Sequence, residues 1–175
     1  VVGAYREDAP DFVFPEEPWG FDQVNFYVRK GTAWRYQGLD SLRGMTVGLI
    51  GGYAYEPEFN KLVSRKDSGT QFQIINENNA LELNIRKLLM GRIAATLESV
   101  YVMNAKLKQL GLEDVIESAG VLTRGEPMYI ACTPEKASSR QYVRWIDQGT
   151  RRLRNNGGLQ KILARYGLED WKAPD

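Results

Sequence analysis

An alternation of strand and helix patterns between residues 45 and 122 constrains the fold of this 175-residue chain more than any other feature. Short apolar runs, typical of buried strands, alternate there with segments whose apolar residues recur at helical spacing. The strand-like runs are residues 45–50, 70–76, 92–97 and 114–122, and the helix-like segments are 55–63, 78–91 and 99–111. Such an order predicts an α/β fold with a mainly parallel sheet and helices on its faces.

Further elements flank this region on both sides. They are strands at 1–5, 23–30 and 126–132, a long helix that begins at Ser138 or Ser139, and a last helix that begins at Leu159. We expect residues 1–5 to form a buried strand, because the run VVGAY is apolar. Trp145 lies near the apolar stripe of the long helix, so we expect its ring in the core.

The composition excludes several classes of function. Histidine is absent and cysteine occurs once, which rules out Ser-His-Asp and Cys-His catalysis, most zinc sites and an internal disulfide. We therefore expect neither a metal nor an organic cofactor. The net charge of +1 gives no electrostatic reason to expect nucleic acid binding. No apolar run approaches the roughly 20 residues that cross a bilayer.

The stretch MTVGLIGGYAYEPEF at 45–59 is a candidate binding turn, because a strand ends at Gly51-Gly52 and a helix follows. Backbone N–H groups at such a junction can hold an anion, and ligands of parallel sheets bind beyond the carboxyl ends of strands. The glycines do not have the G-x-G-x-x-G spacing of a dinucleotide-binding turn. Two interpretations remain open: a tight turn without a ligand, or a cleft for a small polar solute that Tyr53 and Tyr55 line.

Glu98 and Ser99 follow the predicted strand at residues 92–97, and they also allow two interpretations. Ser99 is a good helix N-cap, and Glu98 would then be an acid that favours the positive end of the helix. Alternatively, the Glu98 carboxylate points into the cleft, where it could hold an amine.

Charge is unevenly distributed along the chain. Residues 1–24 carry six acids and one base, whereas residues 139–165 carry seven bases and one acid. Such runs are most often solvated faces. The alternatives are that the two ends of the chain pack together, or that the basic helices form a docking surface.

Three stretches in the same order resemble bacterial extracellular solute-binding proteins of the amino-acid-binding type, family 3. They are FYVRKGTAWRYQGLDSLRGMTVGLIGGYAY, LELNIRKLLMGRIAATLES and RWIDQGTRRLRNNGGLQKILARYGLEDW. The resemblance implies a periplasmic-binding-protein-like type II fold, with two lobes of mainly parallel sheets flanked by helices. Residues 1–28 and 129–175 would form a partial first lobe, and residues 29–128 the second lobe. The family's first lobe begins some tens of residues before VVGAY, so the resemblance implies an incomplete first lobe and predicts a dimer or a segment swap.

The resemblance also implies a function and a set of site residues. The function is that of a periplasmic solute-binding component of an ABC-type import system, which holds a small polar, amino-acid-like solute between its lobes without chemistry and presents it to a membrane permease. The implied ligand-binding residues are Arg6, Gly52, Tyr53, Tyr55, Glu98 and Ser99, in a turn that also includes Ala54. The family's carboxylate-binding arginine falls nearest Asp8, and its amine-binding aspartate falls at Ser99. Both ends of the usual amino-acid clamp are therefore altered, and a different small polar solute, or a lost binding role, fits equally well.

Two other functions are compatible with the same scaffold. One is an enzyme similar to cyclohexadienyl dehydratase, acting on prephenate or arogenate, in which Glu98 would be the acid. The other is a sensor or interaction module, in which the basic helices within 139–165 would contact a partner protein.

Overall fold

A computed structural model describes residues 1–53, 55–65 and 68–172 of the chain. The strands are β1 (Val2–Ala4), β2 (Gly20–Arg29), β3 (Val47–Ile50), β4 (Phe72–Ile75), β5 (Ala95–Ser99) and β6 (Ile116–Ile130). The helices are α1 (Pro57–Val63), α2 (Ala80–Leu89), α3 (Val100–Leu110), α4 (Ser139–Asn155) and α5 (Gly158–Ala164). Short 3₁₀ turns lie at Leu39–Leu42 and Ser68–Thr70. In the described part of the chain, no helix is both long enough and apolar enough to cross a membrane.

The chain divides into two compact units. Unit 1 contains Val1–Asp22 and the chain from Gly125 onward, and unit 2 contains Gln23–Arg124. Strands β2 and β6 each contribute residues to both units. That these units correspond to the two lobes, with the boundaries expected from the resemblance, stays a prediction.

Unit 2 is built on a mixed sheet with the strand order β6-β2-β5-β3-β4. Strand β3 is parallel to β4, with Val47 opposite Phe72, and parallel to β5, with Val47 opposite Ala95. Strand β2 runs antiparallel to β5, so that Asn25 lies opposite Glu98. The predicted alternation of strands and helices therefore produces the parallel part of the sheet, and the antiparallel strand β2 borders it.

Both faces of this sheet are covered by apolar clusters, because successive residues of a strand point to opposite faces. One cluster contains Phe26, Val28, Leu42, Val47, Leu49, Phe59, Phe72, Ala95, Leu97, Ala119 and Leu122. The other contains Tyr27, Leu81, Ile85, Leu88, Ile93, Met103, Leu107 and Ile116, most of them from α2 and α3. Phe59 is fully buried, and truncating a buried ring of this kind costs about 3–5 kcal/mol.

Unit 1 is smaller and depends on polar contacts as well as packing. Strand β1 pairs antiparallel with the end of β6, with Val2 opposite Ile130. Helix α4 buries Ser139, Val143, Asp147 and Thr150. The Asp147 carboxylate accepts the backbone N–H groups of Glu16 and Glu17 at 3.1 and 2.9 Å, and so ties the N-terminal loop to the helix.

The charged ends of the chain meet within unit 1. Arg151 contacts Glu16 at 2.6 Å, and Arg154 contacts Glu17 at 3.0 Å and Asp170 at 2.8 Å. The alternative that the two ends of the chain pack together is confirmed for these residues.

Three sequence-based expectations are wrong. The two strands expected at 114–122 and 126–132 form one strand, β6, because pairing with β2 continues along it. Trp145 is 55% exposed, since the buried stripe of α4 lies at Val143 and Asp147 instead. The strand expected at residues 1–5 forms as β1, but it is not buried along its length, because Val1 and Val2 are 72% and 74% exposed.

Candidate functional site

The carboxyl edge of the parallel strands in unit 2 gathers most of the predicted site residues. Strand β3 ends at Ile50 and leads into Gly51-Gly52-Tyr53, while β5 ends with Glu98 and Ser99. Because β3 and β5 are parallel, these two ends lie at the same edge of the sheet. Ala54, which belongs to the predicted turn, lies outside the described residues.

The glycine turn after β3 has a specific conformation. Gly51 donates its N–H to the carbonyl of Ile75 at 2.8 Å, which fixes the turn against the end of β4. A Cβ atom at Gly51 would overlap Oδ1 of Asn76. Gly52 has φ +80°, a backbone conformation that residues with a side chain rarely adopt. Position 52 therefore requires glycine for conformational reasons, whether or not the turn binds a ligand.

Tyr53 and Tyr55 lie side by side beyond this turn, with ring centroids 6.3 Å apart. Tyr53 is half exposed, whereas Tyr55 packs its ring edge-on against Phe59 at 5.5 Å. The Tyr55 hydroxyl oxygen accepts the backbone N–H of Ile50 at 3.4 Å. Burial, assisted by the charge of Glu98, raises the pKa of Tyr55 to about 12, so its hydroxyl remains protonated at neutral pH.

Glu98 is buried at this edge, with 1% of its surface exposed. Its Oε1 accepts the backbone N–H of Ser99 at 2.8 Å. Ser99 is the N-cap residue of α3, as one interpretation expected, but its side chain makes no capping hydrogen bond. The carboxylate of Glu98 thus binds a backbone group at the start of α3, where the helix dipole favours negative charge.

Two further polar residues of β2 belong to this region and were not predicted from the sequence. Asn25 pairs with Glu98 across the strands, donates to Oγ of Ser118 at 2.9 Å and accepts from Gln23 at 2.8 Å. Tyr27 is also buried, and burial together with the Glu98 charge raises its pKa. The period-two pattern of polar residues in QVNFY was the signal that could have identified them.

Arg6, the sixth predicted residue, lies in unit 1. Its guanidinium lies 4.5 Å from the ring centroid of Tyr129 and 5.7 Å from that of Phe14. Its Nη2 donates to the carbonyl of Pro15 at 2.8 Å. The structure therefore collects Gly52, Tyr53, Tyr55, Glu98 and Ser99 at one edge of unit 2, while Arg6 belongs to unit 1 and contacts two aromatic rings there; that all six bind one ligand stays a prediction.

The arrangement in unit 2 presents hydrogen-bonding groups at the edge of the sheet. Among residues 1–53, 55–65 and 68–172, no three histidine, cysteine or acidic side chains lie close enough together to hold a metal. A buried carboxylate beside two phenols offers acceptors and donors for a small hydrogen-bonding group.

No protein-family model matches the chain. No curated protein sequence matches it either.

Solved structures do match over nearly the whole chain. An ancestral arginine-binding protein bound to arginine has a TM-score of 0.63 and 21% identity over 94% of this chain and 68% of its own. A structure from work on glutathione import via GshT and the cystine ABC importer TcyBC of Streptococcus mutans has a TM-score of 0.68 and 15% identity, over 99% and 70%. The amino acid ABC transporter substrate-binding protein AbpA of Streptococcus pneumoniae, bound to L-arginine, has a TM-score of 0.65 and 18% identity, over 94% and 65%.

The chain has the type II periplasmic-binding-protein fold. Several of its structural neighbours are substrate-binding proteins of the amino-acid-binding type, as the sequence resemblance implied. The chain spans about two thirds of the length of these neighbours. At these identities, the likeness establishes the fold and leaves the solute to be argued from the residues of the site.

Proposed function

We propose that this chain is the solute-binding component of an ABC-type import system, and that it binds a small, polar, amine-bearing solute without chemistry. The observation that supports this most directly is the convergence of Tyr53, Tyr55 and the buried Glu98 at the carboxyl edge of one sheet. In this proposal the phenol rings line the site, Gly52 lets the backbone approach the solute, and Glu98 and Ser99 provide polar contacts.

Several features of the structural neighbours support the same proposal. One is an arginine-binding protein, and another is the substrate-binding protein of an amino acid ABC transporter. We therefore propose a periplasmic or extracellular location and a membrane permease as partner. We further propose that units 1 and 2 are the two lobes of such a protein, with unit 1 a partial first lobe.

A thermal-shift screen against amino acids, polyamines, small carboxylates and sugars tests the proposal. A solute present at a hundred times its Kd adds about 2.7 kcal/mol of stability, which raises the melting temperature by several degrees. We expect amine-bearing compounds to produce this shift and sugars to produce none. A screen in which no compound with an amine raises the melting temperature contradicts the proposal.

Two substitutions then locate the binding site by calorimetry. Glu98→Gln should weaken binding of the identified solute at least tenfold, since it removes the charge that faces the amine. Glu113→Gln, which removes an exposed carboxylate in the same unit, is the matched control and should leave affinity unchanged. Equal affinities of the two variants, with the far-UV circular dichroism of both unaltered, would place the site elsewhere.

A further inference from the structure

A groove of about 710 Å³ lies in unit 1, and all of its lining residues belong to that unit. The loop from Pro10 to Phe14 lines one part of the groove, and another part is lined by Pro134, Lys136 and Ala137, which precede α4, together with Arg140 of α4. The volume is within the range of small-molecule sites, roughly 300–1,000 Å³. Phe12 and Phe14 provide apolar surface within it.

Positive charge is concentrated around this groove. Arg6, Lys136 and Arg140 all line it, and Asp11 is the single acid among its lining residues. Within the described part of the chain, none of these three cations forms an ion pair. In the same unit, by contrast, Arg154 is paired with two carboxylates. Three like charges around one concave surface repel one another, and a bound anion relieves that repulsion.

The guanidinium of Arg6 is already held in place. It stacks over Tyr129 at 4.5 Å, and it uses Nη2 for the carbonyl of Pro15 at 2.8 Å. These contacts reduce the side-chain entropy that is lost when an anion binds, and the other N–H donors of the guanidinium take no part in that hydrogen bond.

We infer that this groove is a second binding site, for a small organic anion that carries one or two carboxylates on an apolar body. The carboxylates contact Arg6, Lys136 and Arg140, and the apolar body lies against Phe12 and Phe14. Arg6 thus keeps the anion-binding role expected from the sequence. In this proposal it binds the anion together with Lys136 and Arg140 of unit 1. The anion site is independent of the amine-bearing solute proposed for unit 2.

Isothermal titration calorimetry with isophthalate, an aromatic dicarboxylate, tests this inference on the whole chain. We expect saturable binding with one site per chain, together with a clear loss of affinity when NaCl is raised from about 20 to about 300 mM. Inorganic sulfate should bind at least tenfold more weakly, because it lacks an apolar body. Equal affinity for sulfate and isophthalate would show non-specific attraction to positive charge and would overturn the inference.

Matched substitutions on one helix and the turn before it locate the site. The double variant Lys136→Gln/Arg140→Gln should lose at least tenfold in isophthalate affinity. Arg152→Gln removes an exposed arginine of α4 that does not line the groove, and it should bind isophthalate like the unaltered chain. Both altered residues of the double variant are exposed, so its fold, checked by circular dichroism, should be retained. An equal loss in the double variant and in Arg152→Gln, or no loss in either, would overturn the assignment.

One further variant separates this site from the proposed solute site. Glu98→Gln should leave isophthalate affinity unchanged, even if it abolishes binding of an amine-bearing solute. If isophthalate instead binds at the edge of unit 2, Glu98→Gln should tighten its binding, because the substitution removes a negative charge that repels the anion; such a gain would overturn the assignment to the groove.

Discussion

Replacing Gly48 by alanine should destabilise the chain far more than the same change at Gly51, three residues further along the segment that carries the candidate site. A Cβ at Gly48 would lie 2.5 Å from Oδ1 of Asn84 and 2.6 Å from Cδ1 of Ile93, whereas unstrained contacts are near 3.5–4.0 Å. Asn84 is fully buried and Ile93 is 2% exposed, so each must move by about 1 Å within a packed core.

Three contributions determine how much Gly48→Ala changes the free energy of unfolding. Overpacking of this kind costs about 1–3 kcal/mol. Displacement of Asn84 also weakens its hydrogen bond to the carbonyl of Leu49, now 3.2 Å long, at a cost of about 1 kcal/mol. In the opposite direction, alanine in place of glycine within a strand stabilises the fold by about 0.5–1 kcal/mol. We therefore expect Gly48→Ala to lower the free energy of unfolding by about 2 kcal/mol, and the melting temperature by about 4–8 °C.

Gly51→Ala is the matched control, because the atom that its Cβ meets can move away. That atom is Oδ1 of Asn76, but Asn76 is exposed and its side chain can rotate into solvent. The other nearby atom outside Asn76, Cγ2 of Ile74, is at 3.4 Å and is nearly ideal. The loss should therefore stay within about 0.5 kcal/mol.

Urea titration and thermal melting, both followed by far-UV circular dichroism, measure the two losses. Combining Gly48→Ala with Asn84→Ala should recover at least about 0.5 kcal/mol relative to the sum of the single changes, because the second change removes the clashing atoms. If Gly51→Ala proves as harmful as Gly48→Ala, or if the double variant shows no recovery, the assignment of the cost to the buried Asn84 is refuted.

Three further outcomes are expected. Burial raises the pKa of Tyr55 from 10.0 to about 12, so the stability that the neutral phenol contributes is complete below pH 10 and is lost as the pH rises to about 12. The melting temperature of Tyr55→Phe should therefore fall less across that range than that of the unaltered chain. An identical fall would contradict the raised pKa of Tyr55. Arg154→Gln should cost about 1–3 kcal/mol in urea titrations, because its 13%-exposed side chain pairs with Asp170 at 2.8 Å, whereas Arg151→Gln should cost clearly less. If the predicted dimer forms through the exposed aromatics of α4, Trp145→Ser should shift sedimentation velocity profiles toward monomer, and an unchanged dimer fraction would exclude that surface.

Local signals in the sequence were sufficient to predict the parallel part of the fold. Apolar runs separated by helical stripes predicted β3, β4 and β5 with α1 to α3 between and after them, since each pattern depends only on neighbours along the chain. The predicted stop of α3 is also local: Gly111 has φ +66°, a conformation that glycine adopts without strain. The position of Glu98 and Tyr55 at the carboxyl edge follows from the same order of elements.

Other features depend on contacts between residues far apart in the chain, which the sequence pattern does not contain. The pairing of β2 with β6 keeps β6 continuous, and the antiparallel register places Asn25 opposite Glu98. The side of α4 that packs inward is set by Asp147, which accepts backbone N–H groups of the distant N-terminal loop and leaves Trp145 outside.

For this chain, the sequence by itself determined the order and type of the elements from β3 to α3 and the edge at which their polar residues collect, because these follow from side-chain periodicity. Only the tertiary structure decided which of those residues are buried, which charges are paired, and which cations remain around the groove of unit 1. Burial and charge pairing depend on distances between segments up to 137 residues apart, such as Glu17 and Arg154, and no local pattern encodes those distances.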